Sequence, residues 1–467
     1  MNVSVERELK FEGNGVVEIE RLGGEPLEAH TFSSTYYDTS DRRLLRAGIT
    51  LRRRVENGLG VWQLKLPAAR SRVELEDVGG PGSPPSSISG VLSGLLRGRM
   101  VEPIATLRTH RHGRRVDGVA VTVDDVEIMD GHAVVDRFTE IEAELLDGPP
   151  AAVDEVGRRL EKLGARSSGG LTKLAHAVEL PAPERPDPAA PVLGQVRARL
   201  AGQVAELLRN DPVVRISDDD EAVHDMRVAV RRLRSLLRTA RPLLDRSWAE
   251  SLRAELDWLA ARLGAVRDLD VLIEHFETTA AGLNGGDAAL GSALVRPLVT
   301  ERDRARKRLR SSLEKARYYE LLDALEGAAT VMPARGGDVT LRKLVRKEGR
   351  KLKRRARGFP DLSDAALHKL RIQGKRARYA AELAAPAEGK PARRLVDAAR
   401  ELQDVLGEHQ DAVVAVRQLR ELARVADRTD TALVAGRLVE LEEARKRAAR
   451  RDAVGVWKRA RHAVTKL

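Results

Sequence analysis

The hydrophobic period of this chain changes once, and that change constrains the fold more than any other feature. Up to about residue 145, apolar residues alternate with polar ones in short runs, 61–66, 119–123 and 138–145, separated by Gly, Asn or Asp. That is the pattern of half-buried antiparallel strands. The tract 181–191 contains five prolines and excludes both helix and central strand. Beyond it the repeat is helical to residue 467, with Ala, Leu, Arg and Glu dominating. A chain of 467 residues also exceeds one ordinary core. The sequence therefore predicts a multidomain α+β protein. Its parts are a mainly antiparallel β domain over 1–180, a proline-rich linker over 181–191, and an all-α domain over 192–467. Within the β domain, helices are predicted at 88–96 and at 151–163, the second ending at Gly164.

The helical half carries a duplication. His224, Arg227, Arg231 and Arg234 recur as His368, Arg371, Lys375 and Arg378, a shift of 368 − 224 = 144 residues. Leu263, Gly264 and Asp268 recur as Leu406, Gly407 and Asp411, a shift of 143. Two motifs displaced together predict two related units, about 192–330 and 338–467. Arg238 extends the first set, whose spacing of three, four, three and four places every member on one helical face over roughly 20 Å. Like charges at that spacing repel, and between His224 and Arg241 the only acid is Asp225. The bland reading is a solvated face balanced by neighbours; the sharper one is a paired anion-binding surface, with Asp268 and Asp411 holding its side chains in place. The two histidines read as phosphate donors or helix-start residues before metal ligands.

Net charge agrees with an anionic partner, since Lys and Arg exceed Asp and Glu by 82 − 70 = 12. The segment 341–357 alone holds ten Lys or Arg and one acid, Glu348. Nucleic acid, anionic lipid and polyphosphate share that attraction. Aromatic residues make up only 3% of the chain, which leaves few platforms for stacking bases, and no zinc-finger, RRM or basic-zipper signature is present. Cysteine is absent, which excludes thiolate metal sites and cysteine nucleophiles. Glu6, Glu8 and Lys10 stand where a signal peptide needs an apolar run, and no stretch approaches the ~20 apolar residues of a membrane span. A cytoplasmic protein is expected.

Charges in the β half also keep a period of two: Glu6, Glu8 and Lys10; Glu74 and Glu76; Glu140, Glu142 and Glu144; Arg52 and Arg54, then Lys65. On an open sheet these line a wet face above Val73, Leu75, Ile141 and Leu145. In a closed barrel the same face lines a tunnel, where carboxylates hold Mg²⁺ or Mn²⁺ and basic side chains hold phosphate oxygens.

The Glu6, Glu8, Lys10 triplet resembles the ExExK signature of the CYTH, or triphosphate tunnel, family. Further pieces resemble it in order: Tyr36, Asp38 and Thr39; Leu51, Arg52 and Arg54; Trp62, Lys65 and Pro67; Arg72, Glu74 and Glu76; Asp124 and Asp125; Glu140, Glu142 and Glu144; Lys173. The resemblance implies catalytic Glu6, Glu8 and Lys10, with metal ligands among Glu6, Glu8, Asp124, Glu140 and Glu142. It implies phosphate contacts from Lys10, Arg52, Arg54, Lys65, Arg108 and Lys173. Arg111 competes with Arg108 for one role, and Asp125 with Asp124 for another. The duplicated His-x-x-Arg stripe with its Leu-Gly motif resembles the CHAD family. That likeness implies two four-helix bundles about a pseudo-two-fold axis, binding inorganic polyphosphate through His224, Arg227, Arg231, Arg234, Arg238, His368, Arg371, Lys375 and Arg378. The expected function is metal-dependent hydrolysis of tripolyphosphate or polyphosphate beside polymer binding. The alternatives are a non-enzymatic polyphosphate-granule protein and a nucleic-acid binder. The residues leave open the choice among tripolyphosphate, long-chain polyphosphate, thiamine triphosphate and nucleotides, including adenylate cyclase chemistry, as well as the metal and the oligomeric state.

Overall fold

The computed structural model describes residues 2–12, 17–67, 72–168, 173–179, 191–283, 286–335, 340–426 and 428–467, and the prolines of the predicted linker up to residue 190 fall outside them. The chain forms two compact units, Met1–Pro183 with Ala205–Ala222, and Glu184–Val204 with Val223–Leu467.

In the first unit the strands are β1 (Asn2–Glu6), β2 (Glu8–Glu12), β3 (Glu25–Asp38), β4 (Thr50–Glu56), β5 (Leu59–Pro67), β6 (Arg72–Val78), β7 (Glu102–Val116), β8 (Val119–Asp130), β9 (Ala133–Leu145) and β10 (Arg166–Ser167). They form one sheet in the order β1-β6-β5-β4-β3-β7-β8-β9-β2-β10. One run of chain, broken only at Arg7, supplies β1 at one end of that order and β2, flanked by the two-residue β10, at the other. Its first half, β1, pairs antiparallel with β6, and its second half, β2, with β9. The sheet therefore closes on itself, and side chains that alternate along each strand divide into an inside and an outside. The sequence expectation of an antiparallel barrel holds.

The outside is covered where β2, β8 and β9 meet. Phe11, Val119, Val121, Val123, Ile141 and Ala143 pack there against Val153, Val156 and Leu160 of α4 (Ala151–Lys162). The inside of one end is apolar: Tyr36, Leu107, Val126 and Ile128 pack with Leu174 of α5 (Leu174–Ala177). Each fully buried side chain of this kind contributes about 1.5–3 kcal/mol. Short helices α1 (Arg43–Arg46), α2 (Ser86–Val91) and α3 (Ser93–Leu96) lie between strands. The single helix predicted over 88–96 is thus two short ones that meet at Leu92.

The helical half consists of α6 (Val192–Ile216), α7 (Asp220–Ala240), α8 (Arg246–Ala281), α9 (Gly286–Leu313), α10 (Ala316–Thr330), α11 (Leu341–Arg355), α12 (Asp364–Glu388), α13 (Lys390–Arg424) and α14 (Thr429–Thr465). Side chains cap four of them among the described residues: Asp219 accepts from the Glu221 amide, Asp245 from that of Trp248, Thr340 from that of Lys343, and Ser363 from that of Ala366. The order repeats, since α7 and the long pair α8–α9 correspond to α12 and the long pair α13–α14, while α10 has no counterpart. Leu272 and Phe276 of α8, Leu294 and Leu298 of α9, Leu419 and Leu422 of α13, and Val434 and Leu438 of α14 form one core cluster that joins the two copies. Among the described residues, no helix is long and apolar enough to cross a membrane.

Candidate functional site

Strand register builds the barrel's charged interior. Lys10 of β2 lies directly opposite Glu142 of β9, Asp124 of β8 opposite Glu140 of β9, and Arg111 of β7 opposite Asp124. Opposite charges at paired positions meet on one face. Lys10 Nζ donates to Glu140 Oε1 at 3.2 Å and to Glu142, and lies 3.4 Å from Glu8. Arg111 grips both oxygens of Asp124 at 2.7 and 2.6 Å and reaches Glu142 at 2.6 Å. Lys173, immediately before α5, contacts Asp124 at 2.9 Å, Glu140 at 2.8 Å and Glu142 at 2.7 Å.

Burial and charge compete at each of these groups. Burial alone would lower the Lys10 ammonium, yet Glu142 leads the carboxylates that hold it above the ordinary lysine range. Lys173 and Arg111 are raised in the same way, Lys173 chiefly by Glu142 and Arg111 chiefly by Asp124. Burial would raise Glu142 and Asp124, but Lys10 on the first and Lys173 on the second lead the cations that hold both below the carboxylate range. Burial prevails at Glu140, which is raised.

Three carboxylates thus converge on the single positive nitrogen of Lys173 at 2.7–2.9 Å, with oxygen as the only donor type. Although here the oxygens close on the Lys173 ammonium, an oxygen-only donor set is the kind a hard divalent cation such as Mg²⁺ or Mn²⁺ takes. Glu8, Asp124, Glu140 and Glu142 are the residues that would hold it. The side chain of Glu6, the remaining predicted ligand, lies outside the described residues. Removing the central cation leaves Asp124, Glu140 and Glu142 with only Lys10 and Arg111 to balance them, so Lys173→Met is expected to lower unfolding stability by about 3–5 kcal/mol. Chemical denaturation at low salt checks this, and a loss under 1 kcal/mol contradicts the pairing.

A second basic group lies on β4 and β5. Arg52 Nε donates to Gln63 Oε1 at 2.7 Å and its Nη1 to the Tyr36 hydroxyl at 3.3 Å. Burial would lower Arg52, but Tyr36 first, then Glu74 and Glu142, hold it raised, so it shares the interior with the first cluster. Arg54 pairs with Glu56 and lies 4.0 Å over the Phe32 ring, while Lys65 is 3.6 Å from Glu74.

Two predicted alternatives are separated by strand face. Asp124 is fully buried inside, whereas Asp125 is exposed and accepts from Thr139 at 2.8 Å. Arg108, expected among the phosphate contacts, is on the outer face, 49% exposed and bonded to Glu127. Arg111 is the arginine inside. The sequence missed Gln63 and Tyr36 as the groups that orient Arg52.

In the helical unit the two stripes meet. Arg231 of α7 donates from Nε to the Tyr379 hydroxyl of α12 at 3.2 Å. Arg227 pairs with Asp268 of α8 at 2.9 Å, as expected, and Arg234 pairs with Asp257. A Cβ on Gly264 would come within 2.9 Å of Arg227 Nη1, and one on Gly407 within 3.4 Å of Arg371 Nη2. The glycine of each repeated Leu-Gly motif therefore makes room for a stripe arginine. Asp411 lies near Arg371 and Lys375, its carboxyl raised by burial against the pull of Arg371 first among the nearby cations. Arg378 is 3.2 Å from Glu382, Arg238 is lowered by burial and by Arg253, and His224 and His368 each stand fifth in their helix, α7 and α12.

Lys375 is lowered to about 7, by burial first and then by Arg371, Arg231, Arg378 and Arg227. Unfolded, it holds its proton up to the ordinary 10.5. Between those values the unfolded chain binds more protons, so stability rises with pH across the window and the penalty is fully present below it. Lys375→Met is expected to raise Tm at pH 6 by several degrees and to leave it unchanged near pH 10. Thermal melts at both values test this, and an equal shift at both contradicts it.

The family model described as CYTH domain matches residues 4–176, and that described as CHAD domain matches residues 198–420. Two uncharacterized proteins of Mycobacterium tuberculosis, from strains CDC 1551 / Oshkosh and ATCC 25618 / H37Rv, are 31% identical over 462 residues, covering 89% of this chain and 86% of theirs. Among solved structures, PptA from Streptomyces chartreusis is 24% identical with a TM-score of 0.49 and covers 58% of this chain and 100% of its own. The CHAD domain from the plant Ricinus communis is 29% identical with a TM-score of 0.45, covering 58% and 96%. With both family models matched in order and the full-length relatives sharing the same span, the chain belongs to the proteins that join a CYTH domain to a CHAD domain.

Proposed function

We propose that the barrel hydrolyses the terminal phosphoanhydride of tripolyphosphate or polyphosphate, and that the helical unit binds the same polymer. The observation that carries the first part is the convergence of Glu8, Asp124, Glu140 and Glu142 with Lys10, Arg111 and Lys173 inside a closed barrel. A bound Mg²⁺ or Mn²⁺ supplies Lewis-acid polarisation of a phosphoryl oxygen. Lys10, Arg111 and Lys173 exchange carboxylate partners for phosphate oxygens as substrate enters. Arg52, fixed by Gln63 and Tyr36, and its neighbours Arg54 and Lys65 hold the rest of the chain. Charge on the transferring group is met by cations already in place, which is where electrostatic catalysis has its largest effect.

The crowding of cations along the stripes supports the second part. Lys375 faces four guanidinium groups, and a polyanion is the partner that relieves such crowding. Because both units share one chain, a bound polymer raises the local concentration of its own ends at the barrel.

The apolar cluster around Leu174 fills the interior at one end, which favours end-on entry over threading. Polyphosphate is therefore expected to shorten from its ends, releasing orthophosphate without internal fragments on a gel. The deciding assay is phosphate release from tripolyphosphate, long-chain polyphosphate and ATP with Mg²⁺, Mn²⁺ and EDTA. Metal-dependent release from the inorganic chains supports hydrolysis. No release alongside intact polyphosphate binding leaves a binding protein.

A further inference from the structure

Three of the four equivalent stripe positions carry the same residue type in both copies: His224 with His368, Arg227 with Arg371, and Arg234 with Arg378. At the fourth, Arg231 of α7 is matched by Lys375 of α12. Arginine keeps its charge in a protein, whereas a crowded lysine can shed its proton. Lys375 is half-buried, one turn after Arg371 and one turn before Arg378 on the same helical face. The hydroxyl of Tyr379, one turn further on, holds Arg231 of α7 against this face, and Arg227 stands a turn before Arg231. Three carboxylates lie near this group: Asp411 of α13 beside Arg371, Asp268 of α8 on Arg227, and Glu382 of α12 on Arg378. An amine placed among four fixed cations is favoured as the free base, held down to about 7 by burial and then by those arginines. Desolvation beside other cations is a known way of making a lysine nucleophilic.

We propose that Lys375 is a modification site, acylated by small acyl phosphates whose phosphate the surrounding guanidinium groups bind. This rests on the stripe being a phosphate-binding surface. The Nζ lone pair attacks the acyl carbon, the bond from that carbon to the phosphate oxygen breaks, and orthophosphate leaves with the electron pair. The nitrogen loses its proton to solvent. The product is a neutral amide that removes a titratable cation from the stripe and adds bulk there, so acylation weakens polyphosphate binding.

The test incubates the full chain with acetyl phosphate at pH 7.5 and follows acetylation by peptide mass spectrometry. The exposed Lys343, Lys369 and Lys390 serve as internal references. Lys375 is expected to react at least about tenfold faster than these, as fits an amine that is largely free base at that pH. Excess tripolyphosphate is expected to protect Lys375 and not the reference lysines. A neutral reagent, acetyl N-hydroxysuccinimide ester, reads the amine without the anion site. Preference for Lys375 with both reagents but no protection retains the nucleophilic lysine and overturns the phosphate-binding stripe. Labelling of Lys375 by acetyl phosphate at or below the reference rate overturns the proposal.

Discussion

Glu142→Gln is expected to lower metal-dependent phosphate release from tripolyphosphate by about 10²–10³-fold. Among the described residues, Glu142 is the one carboxylate that Lys10, Arg111 and Lys173 all contact. Glutamine keeps its volume but takes away the charge that sets those three cations in place. It also takes one oxygen anion from the set proposed to hold the metal. Two readouts should move together: turnover falls, and the Mg²⁺ or Mn²⁺ concentration for half-maximal activity rises. A destabilised fold would be visible separately in the thermal melt. Activity within tenfold of wild type, with an unchanged metal titration, contradicts the site.

The second large effect concerns the polymer. Arg231→Glu combined with Arg371→Glu is expected to weaken polyphosphate binding by about a hundredfold or more, since each reversal places a carboxylate among desolvated cations. The slope of log affinity against log salt should become shallower as fewer counterions are released. Hydrolysis at saturating tripolyphosphate should not change, because both substitutions lie far from the barrel in sequence and belong to the other compact unit. Duplex DNA at matched charge should fail to displace polyphosphate from wild type. Equal displacement favours a nucleic-acid partner.

Which of these residues the sequence could identify follows from how each strand is covered. Glu140 and Glu142 were legible because Ile141 and Ala143, which alternate with them, pack under α4, so alternation on β9 separates the faces cleanly. β8 defeats the same rule. Val121 and Val123 point outward to α4, while Val126 and Ile128 point inward to the cluster around Leu174. Both faces are apolar along part of the strand, and Asp124 and Asp125 fall at the change. Arg111 and Arg108 also stand on opposite faces of a strand whose two sides both carry charge. The stripes were legible from helical spacing alone, but their meeting was not. That depends on Tyr379 and Arg231 coming together from helices 148 residues apart.

The closing strand has a consequence for how the protein is made. Lys10 waits for Glu142, 132 residues downstream, before its pairing exists. At ordinary rates of synthesis of about 5–20 residues per second, that interval lasts on the order of ten seconds. Throughout it β2 is an unpaired edge bearing Leu9 and Phe11 beside its charges. A nascent chain of this design therefore carries β2 without its partner through most of the barrel's synthesis, and the charged interior is among the last features of the barrel to assemble.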